Sequence, residues 1–178
     1  MIDYSLMFAC SQDGFIAKKE GDNPSLWTSE EDHKLLTENI SKSDWSVMGR
    51  KTHELNLRED RKRIVFTRKV KNIEPISVNI PNQLYFNPDT AQWSDFEKIV
   101  GLNSKVLVLG GTRVHDFFLY LNLLSNINIT IEPLTFNTGI RAFSFINFSD
   151  LESFLIARKY IKKQRKINEK TILVSYSR

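Results

Sequence analysis

The pair Gly110-Gly111 constrains this 178-residue chain more than any other feature. It ends the apolar run Val106-Leu107-Val108-Leu109 and opens Thr112-Arg113-Val114-His115-Asp116-Phe117-Phe118, which reads as a helix. A buried strand that breaks at two glycines and runs into a helix must turn tightly. Such a turn brings backbone close to a ligand and aims the unpaired N–H groups of the new helix at an anion. A second turn of this kind, Met48-Gly49-Arg50-Lys51-Thr52, follows the strand-like Trp45-Ser46-Val47 and carries two cations and a hydroxyl. Two phosphate-suited turns suggest a dinucleotide rather than a single phosphate.

The rest of the chain alternates in the same manner. Tyr4–Cys10 reads as a buried first strand, Ser11–Gly14 as a turn, Phe15–Ala17 as a short extended piece and 18–25 as an exposed loop. Thr28 or Ser29 can cap a helix that begins with Glu30-Glu31-Asp32 and continues its apolar face through Leu35, Leu36 and Ile40. Asp44–Met48 and Arg63–Thr67 are expected strands, with Thr52–Leu57 a short helix or turn between them. Ile76–Phe86 holds one or two strands around Pro81; Asp95–Leu102 and Val114–Leu124 are expected helices. Ile127–Ile131 and Phe143–Phe148 are expected strands. Phe154–Ile161 and Thr171–Tyr176 read as a closing antiparallel hairpin; alternatively, Arg158–Lys166 extends a helix from Asp150. Strands that alternate with helices imply parallel pairing with right-handed crossovers. The expected fold is α/β, a single domain over 1–178, with a central mixed, mostly parallel sheet closed by an antiparallel hairpin.

Composition narrows the function classes. No run approaches the ~18 apolar residues of a membrane span, so no membrane partner is expected. No basic stretch precedes an apolar run at the N-terminus, which argues against a signal peptide. Cys10 is the only cysteine, so neither an internal disulfide nor a cysteine metal cluster forms. That suits a reducing, cytoplasmic setting. The net charge of +4 is concentrated in Arg58–Lys71 and Arg158–Lys170. No zinc-finger spacing, basic zipper or aromatic RNA-binding signature accompanies it, so a small anionic ligand is favoured over nucleic acid. The second basic segment suits solvent, a partner or a homodimer contact. His33, His53 and His115 are too scattered for a metal set and read as surface or helix-edge residues; no metal is expected.

Among the three carboxylates at the start of the first helix, Asp32 shares a face with Leu35 and Leu36. Desolvation beside apolar residues would raise its proton affinity, suiting it to hold a protonated ring edge or deliver a proton. The alternative is a solvated helix-start carboxylate.

In this order, the segments resemble the dihydrofolate reductase superfamily, which includes dihydrofolate reductases and the pyrimidine reductases of riboflavin synthesis. Six carry the resemblance: Ala9 with Asp13–Ala17; Trp27 with Asp32; Met48–Thr52; Arg61–Arg68; Val108–Val114; and Ile129–Ile131. Residues 70–104 add little. The resemblance implies a three-layer fold with helices on both faces of the sheet. It implies that Asp32 holds a pterin ring and supports protonation. Ala9, Trp27 and Leu36 would line the substrate pocket, Thr130 would bond the acid, and Arg61 would grip a substrate carboxylate. It implies NADPH as cofactor, with Arg50, Lys51 and Thr52 at its phosphates and Thr67 and Arg68 on its adenosine side. Gly110, Gly111, Thr112, Arg113 and Val114 would lie under its pyrophosphate, and Ile16 and Ala17 beside its nicotinamide. The implied reaction is hydride transfer to a C=N bond of a small-molecule substrate, 7,8-dihydrofolate foremost.

Other features are similar to the riboflavin branch: Asp13-Gly14, the Trp27-Thr28-Ser29 helix start, and Pro133-Leu134-Thr135-Phe136 with Gly139-Ile140 and Phe143. They keep a ribosylamino-pyrimidine or another small heterocycle open as substrate. The short interval from Gly49 to Arg61 and the offset of Asp32 from Trp27 favour the folate branch. A reading from another class is a non-catalytic nucleotide- or polyanion-binding module.

Overall fold

The computed structural model describes residues 1–178. In chain order the elements are β1 (Asp3–Cys10), β2 (Phe15–Ala17), α1 (Glu30–Ser41), β3 (Trp45–Gly49), α2 (Arg50–Leu55), β4 (Arg63–Phe66), β5 (Ile73–Pro75) and β6 (Gln83–Phe86). Then follow α3 (Trp93–Val100), β7 (Lys105–Gly110), α4 (Thr112–Tyr120), β8 (Leu124–Ile131), β9 (Ile140–Arg141), α5 (Phe148–Ala157), β10 (Ile161–Lys166) and β11 (Ile172–Ser177). One short 3-10 turn, Pro24–Leu26, sits before α1.

Nine strands form one sheet in the order β10-β11-β8-β1-β7-β3-β4-β6-β5. The interior pairings of β8, β1, β7, β3, β4 and β6 are parallel. The two edges are antiparallel, through β11 and β10 at one end and β5 at the other. The sheet is therefore mixed and mostly parallel, with a C-terminal antiparallel hairpin. β2 and β9 make a separate two-stranded ribbon.

Alternation along the strands sorts side chains between the two faces. One face carries Tyr4, Leu6, Phe8, Val47, Ile64, Phe66 and Val108 into the main apolar cluster, where α3, α4 and α5 supply Phe96, Phe118 and Leu155. Aromatic rings dominate this layer: Phe118 lies 5.4 Å from Tyr4 and 5.9 Å from Phe66, and Trp93 stacks on Phe96 at 4.2 Å. The opposite face carries Met7, Met48, Val65 and Leu107, all buried, with polar Arg63 and Thr130 among them. There α2 meets β4 through Arg63 and the start of α1 meets the end of β8.

Several expectations need correction. Phe143–Phe148 is not a strand; the extended piece is Ile140–Arg141, and Phe148 opens α5. Phe154–Ala157 is helical, because Phe148, Leu151 and Leu155 recur at helical spacing and Leu151 and Leu155 are fully buried. Nor does the basic stretch continue that helix: Lys159 takes a left-handed φ of 67°, and the chain turns into β10. The helix expected to reach Leu124 stops at Tyr120, with Asn122 at φ 57°, and Leu124 begins β8. The strands around Pro81 lie at its flanks, Ile73–Pro75 and Gln83–Phe86. His53 and His115 are buried rather than peripheral.

Truncating Phe118, fully enclosed by aromatic neighbours, should cost about 3–5 kcal/mol through lost contacts and the cavity left behind. Urea unfolding of Phe118→Ala checks this; a loss below about 1 kcal/mol would mean the aromatic layer repacks freely.

Candidate functional site

Parallel strands leave their carboxyl ends on one edge of the sheet, where α/β folds place ligands. A cleft of about 1000 Å³ runs along that edge. The ends of β1, β3, β4 and β7 contribute Ala9, Met48, Phe66 and Leu109 to its wall. Of the sequence-derived site residues, Asp32, Leu36 and Arg61 line it. Arg50, Lys51, Thr52, Thr67 and Arg68 line it too, as do Gly111, Thr112, Arg113 and Val114 with Ile16 and Ala17. Gly110, Trp27 and Thr130 are not in the wall. Gly110 is buried under the turn, Thr130 is buried below the cleft floor, and Trp27 faces an adjoining pocket of about 420 Å³.

Asp32 is only 5% exposed. Ser29 caps its helix, the Asp32 N–H donating to Ser29 Oγ at 3.4 Å. Burial raises the Asp32 pKa above the ordinary carboxylate value, and the charge of Glu132 raises it further. The Thr130 hydroxyl, His33 and the Thr28 hydroxyl pull it partly back. Thr130 Oγ1 is itself buried with no partner at closed hydrogen-bond geometry. A carboxyl so placed is suited to keep a proton at pH values where an exposed one has lost it.

Glu132 is the residue that sequence reasoning missed. It follows β8 directly and is 3% exposed. Its Oε1 accepts from Ser29 N at 2.7 Å and from Ser29 Oγ at 2.8 Å; its Oε2 accepts from Thr171 Oγ1 at 2.8 Å. In sequence it is one acid beside Pro133, which reads as a loop carboxylate; its partners are about forty and a hundred positions away.

The far wall of the acid side is cationic. Arg58 forks onto Asp60 through two 3.0 Å bonds, and Arg61 lies 3.6 Å from the same carboxylate. Arg63 is buried, braces α2 by donating from Nη1 to the Asn56 carbonyl at 2.6 Å, and leaves Nε without a partner. Burial, and then the neighbouring Arg58, lower its pKa from the usual guanidinium value. Arg58 and Arg61 thus share one carboxylate, and Arg63 pairs with none.

At the other end, Gly110 adopts φ 106°, and a Cβ there would lie 2.5 Å from His115 Nε2. Only glycine fits. Gly111 begins α4 with no side-chain cap, so the first amides of that helix are open to an anion. His115 is wholly buried, packs on Phe8 at 4.9 Å and places Nδ1 2.8 Å from the Ala142 carbonyl. Burial pushes its pKa down to about 4, so it is neutral at physiological pH. It occupies the apolar face of α4 beside Val114 and Phe118, which is why its pattern resembled a helix edge. Thr112 Oγ1 donates to the Arg141 carbonyl at 2.5 Å, tying α4 to the β9 segment.

The cations nearby are held loosely. Arg50 pairs with Glu54 at 2.6 Å, Lys51 with Glu20 of the 18–25 loop, and Arg68 with Asp89 at 3.7 Å. Exposed pairs of this kind are screened by solvent and contribute little, so an arriving phosphate can displace them at small cost. Open helix amides, a glycine cradle and several exchangeable cations in one cleft fit a phosphorylated nucleotide.

No protein-family model matches the chain, and no curated protein matches it at a significant level. Solved structures do. A protein from Shewanella sp. PV-4 assigned to riboflavin biosynthesis superposes with TM-score 0.70 at 19% identity, covering 99% of this chain and 98% of its own. A Thermotoga maritima diaminohydroxyphosphoribosylaminopyrimidine deaminase/5-amino-6-(5-phosphoribosylamino)uracil reductase gives TM-score 0.67 at 18% identity. There 98% of this chain matches 56% of the other. Enterococcus faecalis dihydrofolate reductase, solved with NADP(H) and RAB-propyl, gives 0.64 at 20% identity, covering 99% and 96%. The chain has the dihydrofolate reductase-like fold.

A carboxyl whose folded pKa lies above its unfolded value binds more protons in the native state. Stability therefore falls as pH rises from the ordinary carboxylate range through the raised folded value, and the penalty is complete above it. Asp32→Asn should accordingly raise Tm at pH 7.5 and give no gain near about pH 3, where both states are protonated. Equal gains at both pH values would show that ionisation of Asp32 is not the cause.

Proposed function

We propose that this protein is an NADPH-dependent reductase that transfers hydride to a C=N bond of a pterin-type substrate, reducing 7,8-dihydrofolate to tetrahydrofolate. The observation that carries the reading is the presence, in one cleft, of a buried carboxyl at Asp32 with raised proton affinity and an anion-receptive helix start at Gly111. Reduction of C=N needs hydride at carbon and a proton at nitrogen, and the two ends of the cleft are suited to these separate tasks.

Bound NADPH supplies the hydride; the chain supplies alignment and the proton. Arg50, Lys51, Thr52 and Arg68, with the amides opening α4 and with Arg113, are suited to hold its phosphates. Thr67 would border the adenosine. Ile16 packs near Gly111, within 4.0 Å of where a Cβ would sit, and with Ala17 forms an apolar wall that excludes water from the reacting face. Asp32, steadied by Thr130, would hold the ring edge and assist protonation. Ala9 and Leu36 would enclose the ring, and Trp27, edge-on to Phe136 at 5.1 Å, would close the end of the pocket. Arg61 would take the carboxylate of the substrate tail.

The guanidinium cluster supports a second reading. Arg63 is buried without a carboxylate of its own beside Arg61 and Arg58, and that charge excess suits a phosphorylated tail as well as a carboxylated one. On this reading the substrate is a ribosylamino-pyrimidine. The similarity to both kinds of reductase at nearly equal TM-score is compatible with either.

NADPH oxidation followed side by side with dihydrofolate and with the phosphoribosylamino-pyrimidine decides between them. The expected outcome is turnover of dihydrofolate, abolished at neutral pH in Asp32→Asn with NADPH binding intact. Turnover of the pyrimidine alone transfers the assignment to the second reading. Absence of both turnover and NADPH binding leaves a nucleotide- or polyanion-binding module, whose affinity for nucleic acid would fall steeply with salt.

The cofactor assignment has its own check. Arg50→Ala combined with Arg68→Ala should weaken NADPH binding at least about tenfold more than NADH binding, since loss of a charge-assisted phosphate contact is worth about 1.5–3 kcal/mol. Equal weakening of both would remove these residues from 2′-phosphate recognition.

A further inference from the structure

Asp32 and Glu132 are two buried carboxyl groups with different surroundings. Glu132 is saturated by donors: Ser29 N, Ser29 Oγ and Thr171 Oγ1, all within 2.8 Å. All three partners donate, so both of its oxygens are held as acceptors in one fixed geometry. The Thr130 and Thr28 hydroxyls near Asp32 favour its charged form, but neither closes a hydrogen bond to it, and burial is the larger effect. The two carboxyls thus differ in surroundings: Glu132 is filled with donors, whereas Asp32 is buried and has its proton affinity raised.

The same three bonds also build the site mechanically. Ser29 is the cap of α1, so its hydroxyl receives the Asp32 N–H while donating to Glu132. Thr171 begins the return of the C-terminal hairpin into β11. A second tie, Asn168 Nδ2 to Glu31 at 3.0 Å, joins that hairpin turn to the first turn of α1. The start of α1, the end of β8 and the hairpin turn therefore converge on one carboxylate.

We propose that Glu132 is a positioning residue for proton delivery: clamped by Ser29 and Thr171, it fixes the helix start that carries Asp32 and sets its own negative charge against that carboxyl. The inference rests on the reading of Asp32 as the proton-bearing group. The other groups facing Asp32 are His33 on its own helix and Thr130 on β8, both of which favour the charged form. Cys10 on β1 is buried, and its pKa is raised by burial and then by Asp13, Asp32 and Glu132, so it stays a neutral thiol. Glu132 is thus the one nearby charge that opposes ionisation of Asp32.

Carboxyl ¹³C NMR titration of the ligand-free protein tests this without requiring turnover, with the Asp32 resonance assigned through Asp32→Asn. In the wild type the Asp32 midpoint should lie above the ordinary carboxylate range; a midpoint within that range overturns the proposal. In Glu132→Gln the Asp32 midpoint should move down, whereas in Ser29→Ala, which loosens the cap but keeps the charge, it should stay close to wild type. An unchanged midpoint in Glu132→Gln, or an equal shift in Ser29→Ala, reduces Glu132 to a structural staple. Dihydrofolate turnover adds a second readout: Glu132→Gln should lose kcat several-fold more at pH 8 than at pH 6, with KM little changed. The two readings fail separately. Full turnover in Asp32→Asn removes Asp32 from the reaction but leaves the Asp32 shift in Glu132→Gln measurable, while loss of turnover in Asp32→Asn with no such shift removes only Glu132.

Discussion

Five parallel strand pairings organise everything else in this molecule. A parallel pair cannot be closed by a tight turn, so each pairing forces a crossover and leaves every carboxyl end on the same edge. β1, β3, β4 and β7 therefore deliver Ala9, Gly49, Thr67 and Gly111 to one line, although the chain spreads them over a hundred positions. The two faces then separate by chemistry. Phe66, Phe86, Phe96 and Phe118 fill the face under α3 and α4, while Arg63, Thr130 and Asp32 occupy the other. The site lies where the polar face reaches the carboxyl edge, with the apolar layer as its rigid backing.

The backing matters because the acid end is held against its own electrostatic preference. A buried carboxyl at Asp32, a second at Glu132 and a buried guanidinium at Arg63 each oppose folding unless their partners are fixed. Glu132 has three donors from two separate parts of the chain, and Arg63 has the end of α2. Such networks are costly when half-made, so the hairpin turn at Thr171 and the cap at Ser29 must both be docked before the acid end is complete. That gives the antiparallel C-terminal hairpin, which contributes no residue to the main cleft, a reason to pack where it does.

Legibility in the sequence followed the range of the interactions. Elements set by local patterns could be read directly: the Gly110-Gly111 turn, the Ser29 cap before three acids, and the β3 to α2 turn with Arg50 and Lys51. The other residues that line the cleft were indicated by the family resemblance: Leu36 lies inside α1 and Ile16 inside β2, with no turn signal of their own. What was not legible depends on distant partners. Phe154–Ala157 is as apolar as a strand and becomes helix only because Leu151 and Leu155 find the sheet. His115 reads as polar until Phe8 and the Ala142 carbonyl enclose it. Glu132 has no local pattern at all: its role depends on Ser29 and Thr171, which only the fold brings within bonding distance.

The two ends of the cleft consequently differ in how they meet a ligand. On the acid side Ser29, Glu132 and Thr171 are mutually bonded, so the helix start that carries Asp32 is fixed before anything binds, and in the proposed reaction little reorganisation would remain for proton transfer. On the phosphate side Arg50, Lys51 and Arg68 are partly exposed and paired with Glu54, Glu20 and Asp89, contacts weak enough to be exchanged. One of these, Lys51 with Glu20, joins the α2 turn to the loop before α1, so a phosphate that takes Lys51 also releases that loop from its only ion pair. Ligand arrival at the adaptable end can thus be felt by the chain leading into Trp27 and α1, whereas the Asp32 end, locked by Ser29, Glu132 and Thr171, keeps its arrangement. Rigidity where the proposed reaction would place a proton, and exchange where a charged ligand would enter and leave, are both consequences of burial, applied unequally along a single cleft.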